Sequence, residues 1–249
     1  MGPTRRERRR HLGAPLRDVG GEDGGRGIGF DDEPGDTKEA RVDLQKKTLG
    51  ASERDEEARG AFRERLRGVD PGRLVFVDES STNIALTPRY ARAPKGERAR
   101  GKAPRNWGKK NVTLISSISL EEGIGPSMSI EGPSDTESFG LYMKDILAPQ
   151  LKRGQIVLMD NLSVHKSAWV RGLIEEKGCR LWLLPSYSPD FNPIEEAFSK
   201  VKGLLRKAKA RTLEALFEAT AEALGAVSRE DARGYFEHCG YRTLRDHPL

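Results

Sequence analysis

The chain has 249 residues, of which 36% are hydrophobic and 33% are charged. A chain of this length can bury a core without disulfide bonds, so one large domain, or a domain with a small arm, is expected. No apolar run approaches the roughly 20 residues of a membrane helix. The N-terminal stretch MGPTRRERRRHLGAPL lacks the apolar centre of a secretory signal, which predicts a cytoplasmic protein. Cys179 and Cys239 have no C-x-x-C spacing and predict neither a disulfide framework nor a structural zinc site.

The first part of the chain predicts an arm. Residues 1 to about 38 are rich in Arg, Gly and Asp and have almost no apolar periodicity, which favours a disordered or irregular segment. The following residues, up to Leu66, are polar and compatible with a helix, so a short helical segment is expected near residues 50–68. VDPGR at 69–73 indicates a turn, and we place the domain boundary near residue 70. The arm then spans residues 1–70 and the main domain residues 71–249.

A basic band follows between Arg89 and Lys110. It contains nine basic residues and one acid, Glu97, for a net charge of +8, whereas the rest of the chain sums to −3. Cations displace counterions from a phosphate backbone and aromatic rings stack on bases, so the band predicts contact with nucleic acid. A solvated hairpin is the alternative. The residues predicted to contact DNA here are Arg98, Arg100, Lys102, Arg105, Trp107, Lys109 and Lys110.

Four short apolar runs predict strands that are covered on both faces, at residues 74–77, 112–118, 156–159 and 181–184. Helical patterns lie between and after them, at residues 136–151, 167–178, 193–208 and 213–224. Strands interleaved with helices are typical of an α/β fold. The sequence therefore predicts a mixed or parallel sheet that is flanked by helices.

Two of the predicted strands end in an acid. Asp78 directly follows LVFV and Asp160 directly follows IVLM, at the carboxyl edge where open α/β sheets bind ligands. If the strands are neighbours, the two carboxylates would repel by about 4 kcal/mol at 4 Å and an effective dielectric of 20. Since no Lys or Arg lies immediately beside either acid, Mg²⁺ or Mn²⁺ is the simplest counter-charge. The alternative is that each Asp ends a strand and binds a backbone N–H in a turn.

A third acid is predicted in the segment LLPSYSPDFNPIEEAFSKVKGLLRKAKAR. Asn192 can cap a helix with Pro193 at its first position, and Glu195 follows three residues after the cap. This is also the spacing of a capping box, which needs no metal. On the helix Glu195 lies about 100° from the core-facing Ile194 and Glu196 about 200°. Glu195 is therefore predicted to flank the core and act as the ligand, and Glu196 to face solvent.

Three carboxylates carry a charge of −3, against +4 for two divalent ions, and would leave a positive site that a phosphate can complete. Two ions roughly 3.5–4 Å apart can activate an attacking oxygen and stabilise a leaving one. The pattern predicts phosphoryl transfer with two bound Mg²⁺ or Mn²⁺ ions.

Several motifs resemble one family. VFVDES, RNWGKKNVTLISSISLEEG, VLMDNLSVHKS, LPSYSPDFNPIEEAFSKVK and YFEHCGYR are similar to the mariner-like bacterial insertion-sequence transposases of the DDE superfamily, over most of residues 45–243. The 34 residues between Asp160 and Glu195 match the family's spacing of its second acid and its glutamate. The resemblance implies an RNase H-like fold and two-metal DNA cleavage and strand transfer in the cytoplasm. It also implies action on the element's terminal inverted repeats and on target DNA, as a homo-oligomer on DNA.

The resemblance also implies roles for individual residues. Asp78, Asp160 and Glu195 correspond to the catalytic and metal-binding acids. Asn161 and His165 match flanking motif positions and are expected to orient metal ligands or the DNA backbone, with a purely structural role as the alternative.

Two further basic residues follow the third acid. Lys202 and Arg206 come seven and eleven residues after Glu195 and continue its helix face. They are predicted to support a DNA strand that enters the metal site. An ordinary charged helix face is the alternative.

The N-terminus departs from the family. Its members usually carry helix-turn-helix modules before the catalytic domain, and residues 1–38 lack the apolar residues that such modules need. We expect a truncated or frame-disrupted copy whose family pattern resumes near KKTLGASE (46–53), with RRERRR either binding DNA unspecifically or simply solvated. Two rival functions remain. One is a catalytically incompetent remnant that only binds DNA or oligomerises, and the other is a repair or RNA-processing nuclease with an RNase H-like core.

Overall fold

The computed structural model describes residues 52–88, 90–104, 111–162 and 164–242. All of them lie within one compact unit, Leu49–Leu249. The segment at residues 1–38 that was expected to be disordered lies outside the described residues, as does RRERRR within it. The described strands are β1 Leu74–Asn83, β2 Asn111–Ser119, β3 Gly123–Glu131, β4 Ile156–Met159 and β5 Arg180–Leu183. The described α-helices are α1 Glu56–Leu66, α2 Thr136–Leu141, α3 Ala168–Glu176, α4 Pro193–Ala208, α5 Leu213–Gly225 and α6 Arg229–His238.

The five strands form one mixed sheet in the order β3-β2-β1-β4-β5. β2 pairs antiparallel with both β1 and β3, whereas β4 pairs parallel with both β1 and β5. The predicted mixed sheet with flanking helices is therefore confirmed. β3 was not predicted, because this edge strand is half-buried and its sequence has no continuous apolar run. Its Pro126 is tolerated because an edge strand leaves one row of backbone groups unpaired.

β1 is longer than predicted, and this changes the setting of Asp78. The strand continues to Asn83 and pairs with β2 over its length, so the prediction that it ends at Asp78 is wrong. Its pairing with β4, by contrast, covers only Leu74 to Phe76. The sheet therefore opens on the β4 side of β1, and Asp78 stands at this opening.

Side chains alternate along the central strands and divide the core into two layers. Phe76 and Leu158 face a cluster that also contains buried residues of α1, α4, α5 and α6. Val75 and Val157 face the opposite cluster, which contains residues of α2 and α3. This period of two is what a parallel strand covered on both faces requires.

The segment predicted as one helix at 136–151 changes type along its length. Asp135 and Ser138 form a capping box at the start of α2. A π-helical segment, Tyr142–Leu147, follows, and a 3₁₀ turn, Ala148–Gln150, ends it. α6, which starts at a second capping box formed by Ser228 and Asp231, was not predicted. Within the described residues, no helix is long and apolar enough to cross a membrane.

α1 packs on the same unit as the sheet, although it was predicted as part of the arm. Its Phe62 is 5% exposed and stacks with Phe191, with 5.4 Å between ring centroids. The buried Arg59 donates hydrogen bonds of 3.0 and 2.6 Å to the two carboxylate oxygens of Asp190. Arg54 donates to the same carboxylate at 3.2 Å. The compact unit thus begins before α1, whereas the sequence placed the boundary near residue 70.

We predict that Asp190→Asn lowers the free energy of unfolding by about 1 kcal/mol at neutral pH. Hydrogen bonds from Arg59 hold the pKa of Asp190 below its usual range. A depressed folded pKa stabilises the protein above the unfolded pKa of about 3.9, and this contribution is lost as the pH falls through the folded value.

Urea unfolding of both proteins across the acidic range measures this difference. The gap between them is expected to close at low pH. Asp145→Asn removes an exposed carboxylate that has no described partner, and should leave the unfolding free energy unchanged. A gap that persists at low pH would show that the ion pair is not its source.

Candidate active site

Parallel pairing of β1 and β4 brings two acids side by side. Leu74 is paired with Ile156 and Phe76 with Leu158, so continuing this register places Asp78 next to Asp160. β4 ends at Met159, and Asp160 turns the chain away from the sheet by accepting a hydrogen bond of 3.2 Å from the Leu162 N–H. The two strands are thus neighbours, which was the condition for the predicted pair of carboxylates.

α4 brings the third acid to the same place. Glu195 lies in the first turn of this helix, with an exposed side chain. A cavity of about 560 Å³ is lined by all three acids. Its other lining residues are Glu79, Asn161, Leu162, Leu184, Pro185, Ser186, Tyr187, Ser188, Pro189 and Asn192. The three carboxylates selected from the sequence therefore share one open cavity at the break in the sheet.

Asp78 is the buried member of the three, with 8% of its surface exposed. One carboxylate oxygen accepts a hydrogen bond of 2.7 Å from the Glu79 N–H, and the other accepts one of 2.8 Å from the side-chain amide of Asn192. Burial raises the pKa of Asp78 to about 7, and the negative charges of Glu195 and Asp160 add to this rise. The carboxylate is therefore hard to ionise unless a positive charge is nearby.

The side chain of Asn192 does not form the helix cap that its sequence context predicts. Its backbone carbonyl accepts the first helical hydrogen bond from the Glu195 N–H, at 3.1 Å, but its side chain makes no capping bond. The amide instead reaches Asp78, and its Oδ1 is buried with no hydrogen-bond partner among the described residues. The capping box of Asn192 and Glu195 is therefore not formed, and the Glu195 side chain remains directed to the cavity.

His165 is fully buried beside Asp160. Its Nδ1 lies 2.5 Å from Asp160 Oδ1, and its Nε2 lies 3.4 Å from Glu79 Oε2 without the alignment of a hydrogen bond. Its ring also packs on Phe139, with 4.4 Å between centroids. Burial lowers the pKa of His165, but the Asp160 and Glu79 carboxylates outweigh it and raise the value to about 9. A protonated imidazole thus fixes the orientation of Asp160.

Asn161 connects the end of β4 to the loop before α4. Its side-chain amide donates a hydrogen bond of 3.0 Å to the hydroxyl of Ser186. Both residues line the cavity. Asn161 thus connects the end of β4 to the loop before α4 at the edge of the cavity, and its role in orienting metal ligands or the DNA backbone stays a prediction.

Glu79 also lines the cavity, although its sequence position did not mark it as a site residue. Its side chain is 15% exposed and faces His165. Successive residues of a strand point to opposite faces, so Glu79 points away from the face on which Asp78 meets Asn192. Two adjacent acids in VDES, with a histidine after the predicted strand at 156–159, were the available indication of this second carboxylate.

The predicted DNA-contacting residues are only partly described. Arg98, Arg100 and Lys102 are exposed in a segment without regular structure. Lys202 and Arg206 are half-buried on α4, and no described carboxylate pairs with either. The other members of the basic band lie outside the described residues: Arg105, Trp107, Lys109 and Lys110.

Neighbouring charged residues on and just after α4 have structural partners. Lys200 pairs with Asp231 of α6, and Arg211, which follows the helix, donates to the backbone carbonyls of Ile84 and Leu86 at 2.8 and 2.9 Å. Glu196 contacts His238 of α6 and remains 34% exposed, so it faces solvent only in part. The helix-wheel argument missed this contact because α6 was not predicted.

The acids suit a hard divalent cation in chemistry and charge. They offer carboxylate oxygens, and the unpartnered Oδ1 of Asn192 adds a neutral oxygen donor beside them. Among the described residues, however, no three His, Cys, Asp or Glu side chains stand close enough together to hold one ion. To hold one ion together, the carboxylates would have to approach one another as a cation binds.

Comparisons with known proteins agree with this arrangement. A family described as DDE superfamily endonuclease matches residues 73–217, a range that contains all three acids. No curated protein matches the chain.

Several solved structures share the fold. The Mos1 transposase paired-end complex with left transposon end is 16% identical, with a TM-score of 0.64 over 81% of this chain and 64% of that one. The Mos1 mariner paired end complex with Mn is 17% identical, with a TM-score of 0.61 over 80% and 64%. The catalytic domain of Mos1 mariner transposase is 16% identical, with a TM-score of 0.53 over 75% and 87%. The chain thus spans about 64% of the Mos1 chain in the DNA complex.

At these identities the likeness establishes a common fold, and the expected RNase H-like architecture is confirmed. The family match covers more than half of the chain and includes β1, β4 and the start of α4, the three elements that carry the acids. This chain belongs to the DDE superfamily of endonucleases.

Proposed function

We propose that this protein is a DNA transposase that cleaves and joins DNA strands at the ends of an insertion sequence. The observation that carries the proposal is the convergence of Asp78, Asp160 and Glu195 on one cavity within the range of the DDE family match. The similar Mos1 structures that contain transposon-end DNA support DNA as the substrate. Action on terminal inverted repeats and target DNA, as a homo-oligomer in the cytoplasm, remains a prediction.

Asp78, Asp160 and Glu195 would hold the metal, Mg²⁺ or Mn²⁺, with two ions as the predicted number. Similar Mos1 paired-end complexes are described with Mn and with Mg. When bound, such ions stabilise the negative charge that develops on phosphate oxygens during an in-line displacement. This role agrees with the raised pKa of Asp78, whose charged form needs a cation nearby.

The side chains around the acids orient them for this chemistry. His165 holds Asp160 from the buried side, while the Asn192 amide holds Asp78 from the α4 side. Partners that orient metal ligands in this way commonly contribute 10- to 100-fold to metal affinity or activity. A DNA strand that reaches the cavity along α4 would meet Lys202 and Arg206, whose charges are not compensated by described acids.

We predict that Asp160→Asn and Glu195→Gln each reduce Mg²⁺-dependent nicking of DNA about a thousandfold or more, because each removes a charged metal ligand. Glu196→Gln is the matched control, since it alters the adjacent glutamate, which contacts α6 instead of the cavity. Nicking rates of a labelled duplex that carries the element's terminal repeat, with and without Mg²⁺, measure the effect.

The outcome separates the proposal from its rivals. Equal nicking by the wild type and Asp160→Asn would refute the assignment of the acids. DNA binding without metal-dependent cleavage by the wild type would indicate a remnant without catalysis. Cleavage of RNA in preference to DNA would indicate a repair or RNA-processing nuclease.

We predict that Asn192→Ala lowers kcat about 10- to 100-fold and leaves KM for DNA unchanged. The substitution removes the hydrogen bond that positions Asp78 but touches no DNA-facing cation. Asn192→Asp should be more harmful, because it places a further negative charge next to a buried carboxylate. Steady-state nicking with a parallel thermal unfolding curve checks this. An unchanged kcat in a folded Asn192→Ala protein would contradict the positioning role.

We predict that the double substitution Lys202→Ala with Arg206→Ala reduces the slope of log K against log salt concentration by about 2, because each cation that contacts a phosphate contributes about 0.9. DNA binding between low and moderate salt, measured by fluorescence anisotropy, gives the slope. Lys144→Ala with Lys177→Ala removes two exposed cations from the opposite face of the sheet and should leave the slope unchanged. Equal slopes for the wild type and the α4 variant would exclude this helix from the DNA path.

A further inference from the structure

Tyr187 has an unusual backbone conformation at the mouth of the acidic cavity. Its φ is +55°, in the left-handed region that an aromatic residue rarely adopts. Lys209 is the other described non-glycine residue with a positive φ, but it ends α4, where this conformation is common. Tyr187 ends no helix and lies in the loop between β5 and α4. Its conformation therefore needs another explanation.

The surrounding contacts hold this conformation in place. Arg54, which lies just before α1, donates a hydrogen bond of 3.3 Å to the carbonyl of Tyr187 and one of 3.2 Å to the carboxylate of Asp190. On the other side, the hydroxyl of Ser188 donates to the carbonyl of Ser186 at 3.1 Å. Arg54 thus binds the backbone of Tyr187 directly, and the bond between Ser188 and Ser186 closes the turn around it.

The ring itself is left free. Tyr187 is 57% exposed, and none of the described residues forms a hydrogen bond, ring contact or cation contact with its side chain. Leu162, which is 49% exposed, lines the same cavity on the strand β4 side. An aromatic and an aliphatic surface therefore flank the three carboxylates.

A strand of DNA has the chemistry to use such a surface. If a phosphate lies at the carboxylates, the adjoining nucleotide stands at the cavity mouth with its base unstacked from the duplex or at a strand end. Aromatic side chains bind such bases by stacking, and they do so with little sequence preference because every base has a π-face. Strained backbone at a binding site is commonly kept because it presents a side chain to the ligand.

We propose that Tyr187 stacks on the nucleobase next to the phosphate held at the acids, and that Arg54 holds the loop in the conformation that presents the ring. This inference rests on the proposed function, since it names a nucleotide-positioning residue for the same site. Stacking of the ring on a base positions the end of the DNA strand at the acids, and it does so without recognising the base sequence. Tyr90, which is also exposed, lies outside the cavity and lacks this conformation.

Photo-crosslinking locates the contact directly. A nicked DNA duplex carries 5-iododeoxyuridine on either side of the nick, and it is irradiated with the wild-type protein in EDTA. The crosslinked residue is identified by mass spectrometry. A crosslink at Tyr187 from a position next to the nick is expected, and crosslinks found only at other residues would overturn the proposal.

Substitutions then separate the ring from the backbone. Tyr187→Asn removes the ring but tolerates a positive φ, and it should weaken binding of the nicked duplex about tenfold. Tyr187→Phe keeps the stacking surface and should bind within about twofold of the wild type. Leu141→Ala, an exposed apolar residue outside the cavity, is the control and should bind as the wild type does. Wild-type affinity for Tyr187→Asn, or an equal loss for Tyr187→Phe, would overturn the stacking role.

Binding and crosslinking are measured without metal, so they do not depend on cleavage. If the wild type binds and crosslinks through Tyr187 but shows no triad-dependent nicking, the proposed catalytic function fails and the stacking contact stands. If nicking depends on the triad while Tyr187→Asn binds normally, the stacking contact alone fails. A wild type that does not bind nicked DNA would refute both.

Discussion

The repulsion between acids at the break in the sheet is the constraint on which the rest of the site depends. Asp78 lies inside β1, where β4 no longer pairs with it, and burial together with the charges of Glu195 and Asp160 raises its pKa to about 7. Acids that are close to one another and partly buried are stabilised by partners that hold each carboxylate in place. The structure supplies different partners to the two strand acids: a neutral amide, Asn192, to Asp78 and a protonated imidazole, His165, to Asp160. The difference between these partners keeps both acids oriented without a Lys or Arg at the site.

The same constraint explains why contacts far from the cavity matter to it. The loop before α4 carries Asn192 at its end, so any shift of this loop moves the amide away from Asp78. Arg59 clamps Asp190 from α1, and the hydroxyl of Tyr241 donates a hydrogen bond of 2.6 Å to the carbonyl of Phe191. Two segments at opposite ends of the described chain thus fix the two residues that immediately precede Asn192.

The sequence was sufficient to predict what depends on local pattern. β1, β2, β4 and β5 were each located by short runs of branched apolar residues, and α4 by its cap and periodicity. β3 was missed because a half-buried edge strand with an internal proline lacks such a run. For Asp78 the local argument failed, because β1 does not end there, although its pairing with β4 does end just before this residue. Parallel pairing joins strands that are distant in sequence, so the residue pattern of one strand cannot predict where its pairing ends.

The partners of the acids could not be predicted for the same reason. Asn192 has the spacing of a helix cap, yet its amide binds a carboxylate that lies 114 residues earlier in the chain. α1 contains only one large buried apolar side chain, Phe62. Its packing in the core depends on the contact with Phe191, which is distant in sequence and could not be predicted from the helix alone. Local rules describe the backbone of these segments correctly. They do not predict which distant group a polar side chain will form a hydrogen bond with.

α4 joins these features in one rigid element. Its first turn carries Glu195, its apolar stripe packs in the same core layer as Phe76, and its second half carries Lys202 and Arg206. Contacts of Lys200 with Asp231 and of Glu196 with His238 fix its rotation against α6. Phe236 of α6 in turn packs edge-on against Phe76, two residues before Asp78, with 5.3 Å between ring centroids. The helix that presents the third acid is therefore aligned on the strand that presents the first. For this reason the geometry of the cavity depends on the packing of the C-terminal helix as much as on the acids themselves.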